Sequence, residues 1–360
     1  MSFLALEPFA LPELPPPIDY ANKRFYECLL KAKTELAELK GYTLALPDPM
    51  LLLDGLFIKE SVASSKIENI QASLEKVLQQ QLFPESEQKP ETKEAFRYKA
   101  AMLYGFDTMK RITLGNRLIL DIHKELMPKA SYGYRTHQKH IENPVTKEII
   151  YTAPPAQKIN RLMTNWESYL HNSTDGTDPL IKCAIAHYQL EAIHPFSDGD
   201  GRTGRIVMAL YLLHSKILPY PIINISSYIS KNRAEYDRLI HHVTEKGNWH
   251  AFIEFMLQGF FVQAKEVKEQ LFGLLSLYNS CKEKIKKDCP AIFSEELLKL
   301  MFSFPVITPM KLGVRLDIHY TTASRYLKNL VEKKFLRHEQ FGKYQLYINK
   351  GLIDILNMEN

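Results

Sequence analysis

The spacing of apolar residues predicts a chain built mainly from α-helices. Apolar positions recur every three or four residues over long stretches, as they do in a helix with one buried face. Before residue 130, helices are predicted at 22–41 (ending at Gly41), in two pieces within 50–82, at 92–112 and at 114–128. In the central region, helices are predicted at 157–171, 178–192, 202–216, 230–245 and 248–271.

Three segments interrupt this helical pattern. Residues 1–17 are rich in proline and are expected to form an extended arm. Residues 83–91 are polar and bounded by proline, as in a linker or loop. Residues 137–152 carry β-branched residues on both sides of Asn143-Pro144, which predicts a β-hairpin.

The C-terminal region combines short helices with strands. Helices are predicted at 294–303, 308–316 and 320–333, and residues 335–348 predict two strands around a turn at Gly342. This order is typical of a winged helix, in which 320–333 is the recognition helix. The chain is therefore expected to have an N-terminal helical region (1–91), a central core (92–280) and a winged-helix domain (290–360).

Composition narrows the class of protein. Of the 360 residues, 45% are hydrophobic and 24% are charged, which is ordinary for a globular protein. No apolar run reaches the roughly 18 residues of a membrane span, and the N-terminus lacks the basic start of a signal peptide. The four cysteines form no CxxC pair, which favours free thiols in a reducing compartment. We therefore expect a cytoplasmic protein that makes no membrane contact.

Positive charge is concentrated near the C-terminus. Residues 291–350 hold ten Lys and Arg against five Asp and Glu, and this surplus equals the net charge of +5 of the whole chain. A modest basic surplus on a predicted winged helix makes duplex DNA a candidate partner.

The segment HPFSDGDGRTGR, residues 194–205, concentrates the candidate chemistry. Gly199, Gly201 and Gly204 satisfy the pattern G-x-G-x-x-G of dinucleotide sites. However, no β-branched strand precedes them and no carboxylate follows at 217–225, which excludes a Rossmann site. The chain also contains neither a P-loop motif nor an HExxH zinc motif.

The residues of the segment 194–205 instead suit a site that transfers a phosphate group. Small residues before a helix expose backbone N–H groups to an anion, at the positive end of the helix dipole. Arg202 and Arg205 are three residues apart, share one helix face and suit further phosphates. Asp198 suits Mg²⁺, and His194 is placed to take a proton from a hydroxyl group. These parts together predict phosphoryl or nucleotidyl transfer.

The same segment resembles the signature of the Fic family, HPFx[DE]GNGRxxR, and departs from it only at Asp200, where the family has Asn. KESVASSKIEN (59–69) resembles the N-terminal segment of many Fic proteins. The predicted hairpin lies where the family has its target-positioning flap, and residues 236–257 resemble the helices after its core. The resemblance covers nearly the whole chain and implies a helical bundle with a β-hairpin flap, joined to a C-terminal winged helix.

Fic proteins typically transfer AMP from ATP to a Ser, Thr or Tyr hydroxyl of a target protein. The resemblance therefore implies a protein adenylyltransferase that uses ATP and Mg²⁺. His194 is implied as the general base, and Asp198 as the ligand of Mg²⁺ across the α- and β-phosphates. The target is unidentified, and the chain itself is one candidate. Relatives with this layout often dimerise.

Further roles are implied for nucleotide and target. The backbone from Gly199 through Asp200 to Gly201 is implied as the anion nest, Arg202 supports the phosphates and Arg205 pairs with the γ-phosphate. Ile141 and Ile149 are implied to clamp the target strand. Tyr228 and Tyr236 are candidates for the adenine pocket, although both also suit a role in the hydrophobic core.

Residues 64–69 match the inhibitory pattern of the family, [ST]xxxE[GN]. Ser64 and Glu68 are four residues apart and are expected on one face of a helix. The resemblance implies that Glu68 pairs with Arg205, displaces the ATP γ-phosphate and misaligns the α-phosphate. By itself, the pattern also fits an ordinary exposed glutamate.

Asp200 leaves three outcomes open, because an ionised carboxylate cannot donate a hydrogen bond as Asn does. It supplies a second carboxylate to the metal, or weakens ATP binding, or favours another reaction such as AMP removal. Our hypothesis is a working but weakened site. The alternative functions are a DNA-binding regulator that senses nucleotide, and transfer or removal of another phosphate-containing group.

Overall fold

Most helices and both hairpins occur in the order that the sequence predicts. The computed structural model describes residues 3–19, 23–46, 48–143 and 146–358. The N-terminal helices are α1 (Lys23–Leu44), α2 (Pro49–Leu52), α3 (Asp54–Ile67), α4 (Leu74–Gln80), α5 (Pro90–Thr108) and α6 (Asn116–Leu126). A hairpin follows, formed by β1 (His140–Glu142) and β2 (Ile149–Thr152).

The central helices are α7 (Ile159–His171), α8 (Pro179–Ile193), α9 (Asp200–His214), α10 (Ile225–Lys231), α11 (Arg233–Lys246) and α12 (Trp249–Asp288). The C-terminal elements are α13 (Glu295–Ser303), β3 (Val306–Ile307), α14 (Pro309–Leu316), α15 (Tyr320–Glu332), β4 (Arg337–Phe341), β5 (Tyr344–Ile348) and α16 (Lys350–Asn357). The fold is mainly α-helical, as predicted.

The chain packs into two units. The first holds residues 1–37 and 97–263, and the second holds residues 38–96 and 264–360. The division of the chain into the domains 1–91, 92–280 and 290–360 was inferred from the sequence, and it stays a prediction. No helix in the described part of the chain is both long and apolar enough to cross a membrane.

Helices α8 and α9 form the centre of the first unit. Nearly every residue of both helices is buried, including the charged side chains of Lys182, Arg202 and Arg205. Helix α8 begins where the Asp178 side chain accepts a hydrogen bond from the Leu180 N–H at 2.9 Å, with Pro179 at the first helical position. It packs against α7 and α9, and α9 packs against α6. These contacts fix the loop between α8 and α9.

The N-terminal arm lies along the same unit. Its described residues, 3–19, contain no helix or strand, in agreement with the predicted extended arm. Phe9 N–H donates to the Thr152 carbonyl at 2.9 Å, next to the hairpin. Leu14 N–H donates to Asn165 Oδ1 at 2.8 Å, and Asn165 Nδ2 donates to the Leu14 carbonyl at 3.0 Å. The arm is therefore fastened to β2 and α7 through backbone groups.

The C-terminal part of the second unit contains the short helices α13, α14 and α15 and an antiparallel sheet of strand order β3-β5-β4. Side chains of Ser294 and Thr308 cap α13 and α14. In the same unit, α16 packs against α3. Lys59 on α3 forms a buried ion pair of 2.7 Å with Glu266 on α12. The helices and the β4–β5 hairpin have the predicted order, and β3 joins the sheet as an additional strand.

Several predicted boundaries were wrong. Helix α1 passes through Gly41 and ends at Leu44, because a single glycine costs a helix only about 1 kcal/mol. The helix predicted at 230–245 is α11, which begins only at Arg233, and the separate helix α10, which ends at Lys231, was not predicted. Helix α12 continues to Asp288 because buried residues recur along its face, at Leu271, Leu274, Tyr278, Cys281 and Ile285. Strand β3 and helix α16 were not predicted.

Candidate active site

The loop between α8 and α9 is shaped by two residues in the left-handed backbone region. His194 (φ 49°) ends α8, and Gly199 (φ 84°) precedes the first residue of α9. Glycine adopts this conformation without steric cost, whereas histidine does so rarely. Gly204 matters for a different reason: a Cβ atom there would lie 2.5 Å from Glu191 Oε1, so the end of the Glu191 side chain would have to move. The loop brings His194 next to the N-terminus of α9.

The His194 ring has a close polar contact at each of its nitrogen atoms. Nδ1 lies 3.3 Å from the Glu191 carbonyl oxygen, and Nε2 lies 3.1 Å from Asp200 Oδ2. The side chain is 16% exposed. Burial is the main cause that lowers the pKa of His194 below its usual value, while Glu191 opposes the shift. The ring is therefore predominantly neutral near pH 7, as a general base requires.

Asp198 and Asp200 occupy opposite environments although they are two residues apart. The Asp198 side chain is 71% exposed and accepts a hydrogen bond from the Gly199 N–H at 2.7 Å. The Asp200 side chain is 1% exposed, and its Oδ1 accepts a hydrogen bond from the Phe196 N–H at 2.8 Å. Burial, with a smaller contribution from Asp198, raises the pKa of Asp200 to about 8, against the Phe196 hydrogen bond.

Asp198 is the loop carboxylate that is open to a metal ion. Within the described residues, no group of three or more His, Cys, Asp or Glu side chains is arranged to hold one. Mg²⁺ bound with a nucleotide commonly takes only one or two protein carboxylates, because phosphate oxygens and water complete its shell. An exposed carboxylate at a helix N-terminus fits that requirement.

Arg202 and Arg205 both lie on α9 and are buried, with 5% and 2% exposure. Arg202 Nη2 lies 3.6 Å from Asp198 Oδ1. Arg205 lies near His187. Burial lowers the pKa of His187 to about 3, and the positive charge of Arg205 contributes in the same direction. Two buried guanidinium groups on the first turns of a helix form a strongly positive environment for an anion.

The hairpin predicted at 137–152 is present. Strands β1 and β2 pair antiparallel, with Ile141 opposite Tyr151 and Glu142 opposite Ile149, and the register shifts between Ile141 and Glu142. Ile141 and Ile149 are half-buried. Pro144, in the predicted turn, lies outside the described residues.

The two candidate adenine contacts lie in packed surroundings. Tyr236 is 5% exposed, and its hydroxyl group lies 2.8 Å from His187 Nε2. Tyr228 is half-buried, with its ring centroid 5.0 Å from that of Phe255. Their assignment to an adenine pocket stays a prediction.

The inhibitory residues lie in the second unit, around the end of α3. Ser64 is buried within the helix, whereas Glu68 is exposed and is the C-cap, one residue past the last helical position. Asn69, with φ 62°, ends the helix there. The expectation that both residues lie within one helix was therefore wrong for Glu68. Its pairing with Arg205 stays a prediction.

Arg135 was missed by the sequence analysis, although it organises the loop. Its guanidinium group donates to the carbonyl oxygens of His194 (2.8 Å), His137 (2.7 Å), Pro154 (2.7 Å) and Ile193 (3.3 Å). It thereby ties the base of the hairpin to the end of α8. Because all four acceptors are backbone atoms, no side-chain motif could have revealed them.

His123 and Lys139 also support the loop from outside the motif. His123 Nε2 lies 2.9 Å from the Asp198 carbonyl oxygen, and its ring stacks on Phe196 with centroids 3.7 Å apart. Lys139 Nζ donates to the Ser197 carbonyl at 2.8 Å. For these two residues, the sequence offered one signal, which is the position of His123 on the apolar face of α6.

Three family models match consecutive parts of the chain. They are the Fic/DOC family N-terminal region at residues 26–107, the Fic/DOC family at 113–212, and the C-terminal domain of SoFic-like protein adenylyltransferases at 277–352. The second includes the whole loop and the first turns of α9. The chain belongs to the Fic/DOC family.

Named relatives agree with this assignment. Protein adenylyltransferase fic-1 of Caenorhabditis elegans is 37% identical over 146 residues, which is 38% of this chain and 25% of that protein. The protein of the same name in Caenorhabditis briggsae is 30% identical over 148 residues, again 38% and 25%. The matched part of this Fic chain therefore corresponds to about a quarter of these relatives.

Solved structures share the fold. A Fic family protein from Desulfovibrio desulfuricans aligns with a TM-score of 0.59 at 21% identity, over 93% of this chain and 98% of that one. Residues 134–508 of Fic-1 from C. elegans align with a TM-score of 0.51 at 20% identity, over 70% of this chain and 74% of that one. These likenesses show the Fic fold.

Proposed function

We propose that this Fic protein is an adenylyltransferase that transfers AMP from ATP to a Ser, Thr or Tyr hydroxyl of a target protein. The observation that carries the proposal is the α8–α9 loop, which sets a neutral histidine beside the arginine-bearing N-terminus of a buried helix. The relatives named protein adenylyltransferase support the reaction type. The target is unidentified, and the chain itself is a candidate.

In this reaction His194 takes the proton of the target hydroxyl. The hydroxyl oxygen forms a bond to the α-phosphorus of ATP, and the bond between that phosphorus and the bridging oxygen breaks, releasing pyrophosphate. The N–H groups at the start of α9 lack partners within the helix and face the phosphates. Arg202 and Arg205 balance the charge of the leaving group.

Asp198 is the residue that would hold Mg²⁺ with the nucleotide. The ion supplies neutralisation of phosphate charge when it is bound. The exposed carboxylate and its position at the N-terminus of α9 support this assignment. Ile141 and Ile149 of the hairpin, which we call the flap (residues 140–152), would align the target segment by strand pairing.

We also propose that Glu68 restrains the site by pairing with Arg205 in place of the γ-phosphate. The exposed position of Glu68 at the end of α3 supports this role, because its carboxylate is not enclosed by its own helix. The partner Arg205 is buried, where an ion pair is weakly screened by solvent.

The test is the intact mass of the Glu68→Gly variant after incubation with ATP and Mg²⁺. We expect added mass of one AMP per modified site, and none when His194→Ala is combined with it. Glu85→Gly, at another exposed glutamate of the second unit, is the matched control and should behave as the wild type. Absence of AMP from the Glu68→Gly variant and from the proteins of a cell lysate incubated with it, with ATP still bound, would contradict the transferase proposal.

A second proposal concerns the C-terminal domain, which we infer to be a winged helix that binds duplex DNA through α15. Arg325 and Lys328 are exposed on that helix. The β4–β5 hairpin is held within its own unit, since Lys343 Nζ and the Tyr344 hydroxyl contact Glu87 at 2.8 and 2.7 Å. DNA contact would therefore depend on the helix.

Fluorescence anisotropy of a labelled duplex, measured over a salt series, tests DNA binding. The Arg325→Ala/Lys328→Ala variant should bind more weakly, and its log–log salt slope should be shallower by about 0.9 per lost phosphate contact. Lys284→Ala/Lys287→Ala, at exposed lysines of α12, is the control. Equal binding by all three proteins would exclude α15 as the contact. Cytoplasmic location and dimerisation stay predictions.

A further inference from the structure

Asp200 stands where the Fic signature has Asn, and its side chain points away from solvent. It is the first residue of α9, yet only 1% of the side chain is exposed, against 71% for Asp198. A carboxylate that served the metal or the phosphates directly would need the open position of Asp198. The question is therefore what the buried carboxyl group contacts.

One carboxyl oxygen is anchored by the backbone. Oδ1 accepts the Phe196 N–H at 2.8 Å. Phe196 is itself fixed, because its ring stacks on His123 at a centroid distance of 3.7 Å and an interplanar angle of 2°. The position of the Asp200 carboxyl group is thus set by the loop.

The other carboxyl oxygen meets the candidate base. Oδ2 lies 3.1 Å from His194 Nε2, a hydrogen-bonding distance without the alignment of a hydrogen bond. On the far side of the ring, Nδ1 faces the Glu191 carbonyl oxygen at 3.3 Å. A carbonyl oxygen only accepts, so Nδ1 carries the hydrogen and Nε2 carries the lone pair. The Asp200 carboxyl group lies beside that lone pair without forming a hydrogen bond to it.

The nearby cations have other partners. Arg135 donates to four backbone carbonyl groups, Lys139 donates to the Ser197 carbonyl, and Arg202 lies 3.6 Å from Asp198. Within the described residues, the groups at hydrogen-bonding distance from the Asp200 carboxyl are the Phe196 N–H and the His194 ring. The contacts of Asp200 are therefore directed to the base.

We propose that Asp200 is a positioning residue that fixes the His194 ring between itself and the Glu191 carbonyl, so that Nε2 faces the incoming hydroxyl group. This role rests on the proposed transferase function. It differs from a metal or phosphate role in what it controls. Positioning of the base acts on the transfer step, whereas a metal or phosphate ligand also acts on ATP binding.

Steady-state kinetics of two variants separate these roles. Both are made in the Glu68→Gly background and measured with ATP and Mg²⁺. Asp200→Ala should lower kcat by about 10- to 100-fold, because small displacements of a reacting group cost about that much, with KM for ATP changed by less than about threefold. Asp200→Asn, which keeps the shape and the acceptor for Phe196 N–H, should keep kcat within about threefold.

Three results would overturn the positioning role. They are an unchanged kcat in Asp200→Ala, a loss in that variant confined to KM for ATP, and a loss in Asp200→Asn as large as that in Asp200→Ala. Asp107→Ala and Asp107→Asn, at an exposed aspartate of the first unit, are matched controls and should match the parent.

A spectroscopic readout does not depend on turnover. In the full chain labelled with ¹⁵N-histidine, the His194 ring signals are assigned by their absence in His194→Ala. We expect the Nδ1–H tautomer in the wild type and in Asp200→Asn, and averaged ring signals in Asp200→Ala. Identical signals in all three would refute the proposal. If Glu68→Gly transfers no AMP while these signals differ as expected, the transferase function fails and the positioning of His194 stands.

Discussion

His187 is a buried histidine close to the candidate site that takes no part in the proposed chemistry. It lies on α8, its Nε2 atom is 2.8 Å from the Tyr236 hydroxyl oxygen, and its Nδ1 atom is 4.0 Å from Glu191 Oε1. Burial lowers its pKa from 6.5 to about 3, with Arg205 contributing in the same direction. The folded protein therefore keeps this ring neutral at pH values where an unfolded chain protonates it.

This difference predicts a loss of stability in acid. Between pH 6.5 and about 3 the unfolded state binds one more proton than the folded state, so the free energy of unfolding decreases as pH falls. The contribution of His187 is about 1.4 kcal/mol per pH unit within that window. In His187→Gln, urea unfolding at several pH values should show a pH dependence that is shallower by about this amount.

The exposed His319, replaced by Gln, is the control for this measurement. Parallel curves for the wild type and His187→Gln would show that the ring is protonated in the folded protein, against the pKa given above.

At the scale of elements, two helical glycines of the second unit have opposite surroundings. A Cβ atom at Gly55 on α3 would lie 2.5 Å from Leu356 Cδ1 on α16. A Cβ atom at Gly41 on α1 would meet nothing within 4 Å. The first glycine allows two helices to approach closely, and the second has no such reason to be glycine.

Alanine at these two positions should therefore change stability in opposite directions. Gly41→Ala should stabilise the protein by about 0.4–1 kcal/mol, since alanine restricts the unfolded chain and favours a helix. Gly55→Ala should destabilise it by about 1–3 kcal/mol, because the buried Leu356 side chain must shift. Chemical denaturation of both variants beside the wild type measures the two changes. A stabilised Gly55→Ala would show that α16 is free to move away from α3.

At the scale of the molecule, the sequence predicted what depends on local pattern and on the signature. Helix positions, the flap and the loop at 194–205 follow from periodicity and from an ordered motif. The four carbonyl contacts of Arg135 and the contact between Asp200 and His194 could not be predicted, because they arise from how separate segments pack. Helix α16 was also not predicted from the sequence.

The second unit also shows an organisation that no local pattern reveals. Its residues come from two stretches, 38–96 and 264–360. Lys59 Nζ lies 2.7 Å from Glu266 Oε1 and 3.2 Å from the Met358 carbonyl oxygen, which joins α3 to residues more than 200 positions later in the chain. Such pairing is set by tertiary packing alone.

This discontinuity has a consequence for synthesis on the ribosome. The stretch that contains α3 leaves the exit tunnel long before residues 264–358, on which its packing depends. At about 5–20 residues per second, the intervening residues 97–263 take roughly 10–30 s to translate. During that interval the apolar face of α3 has no native partner from the second stretch, so the nascent chain exposes a surface that chaperones bind.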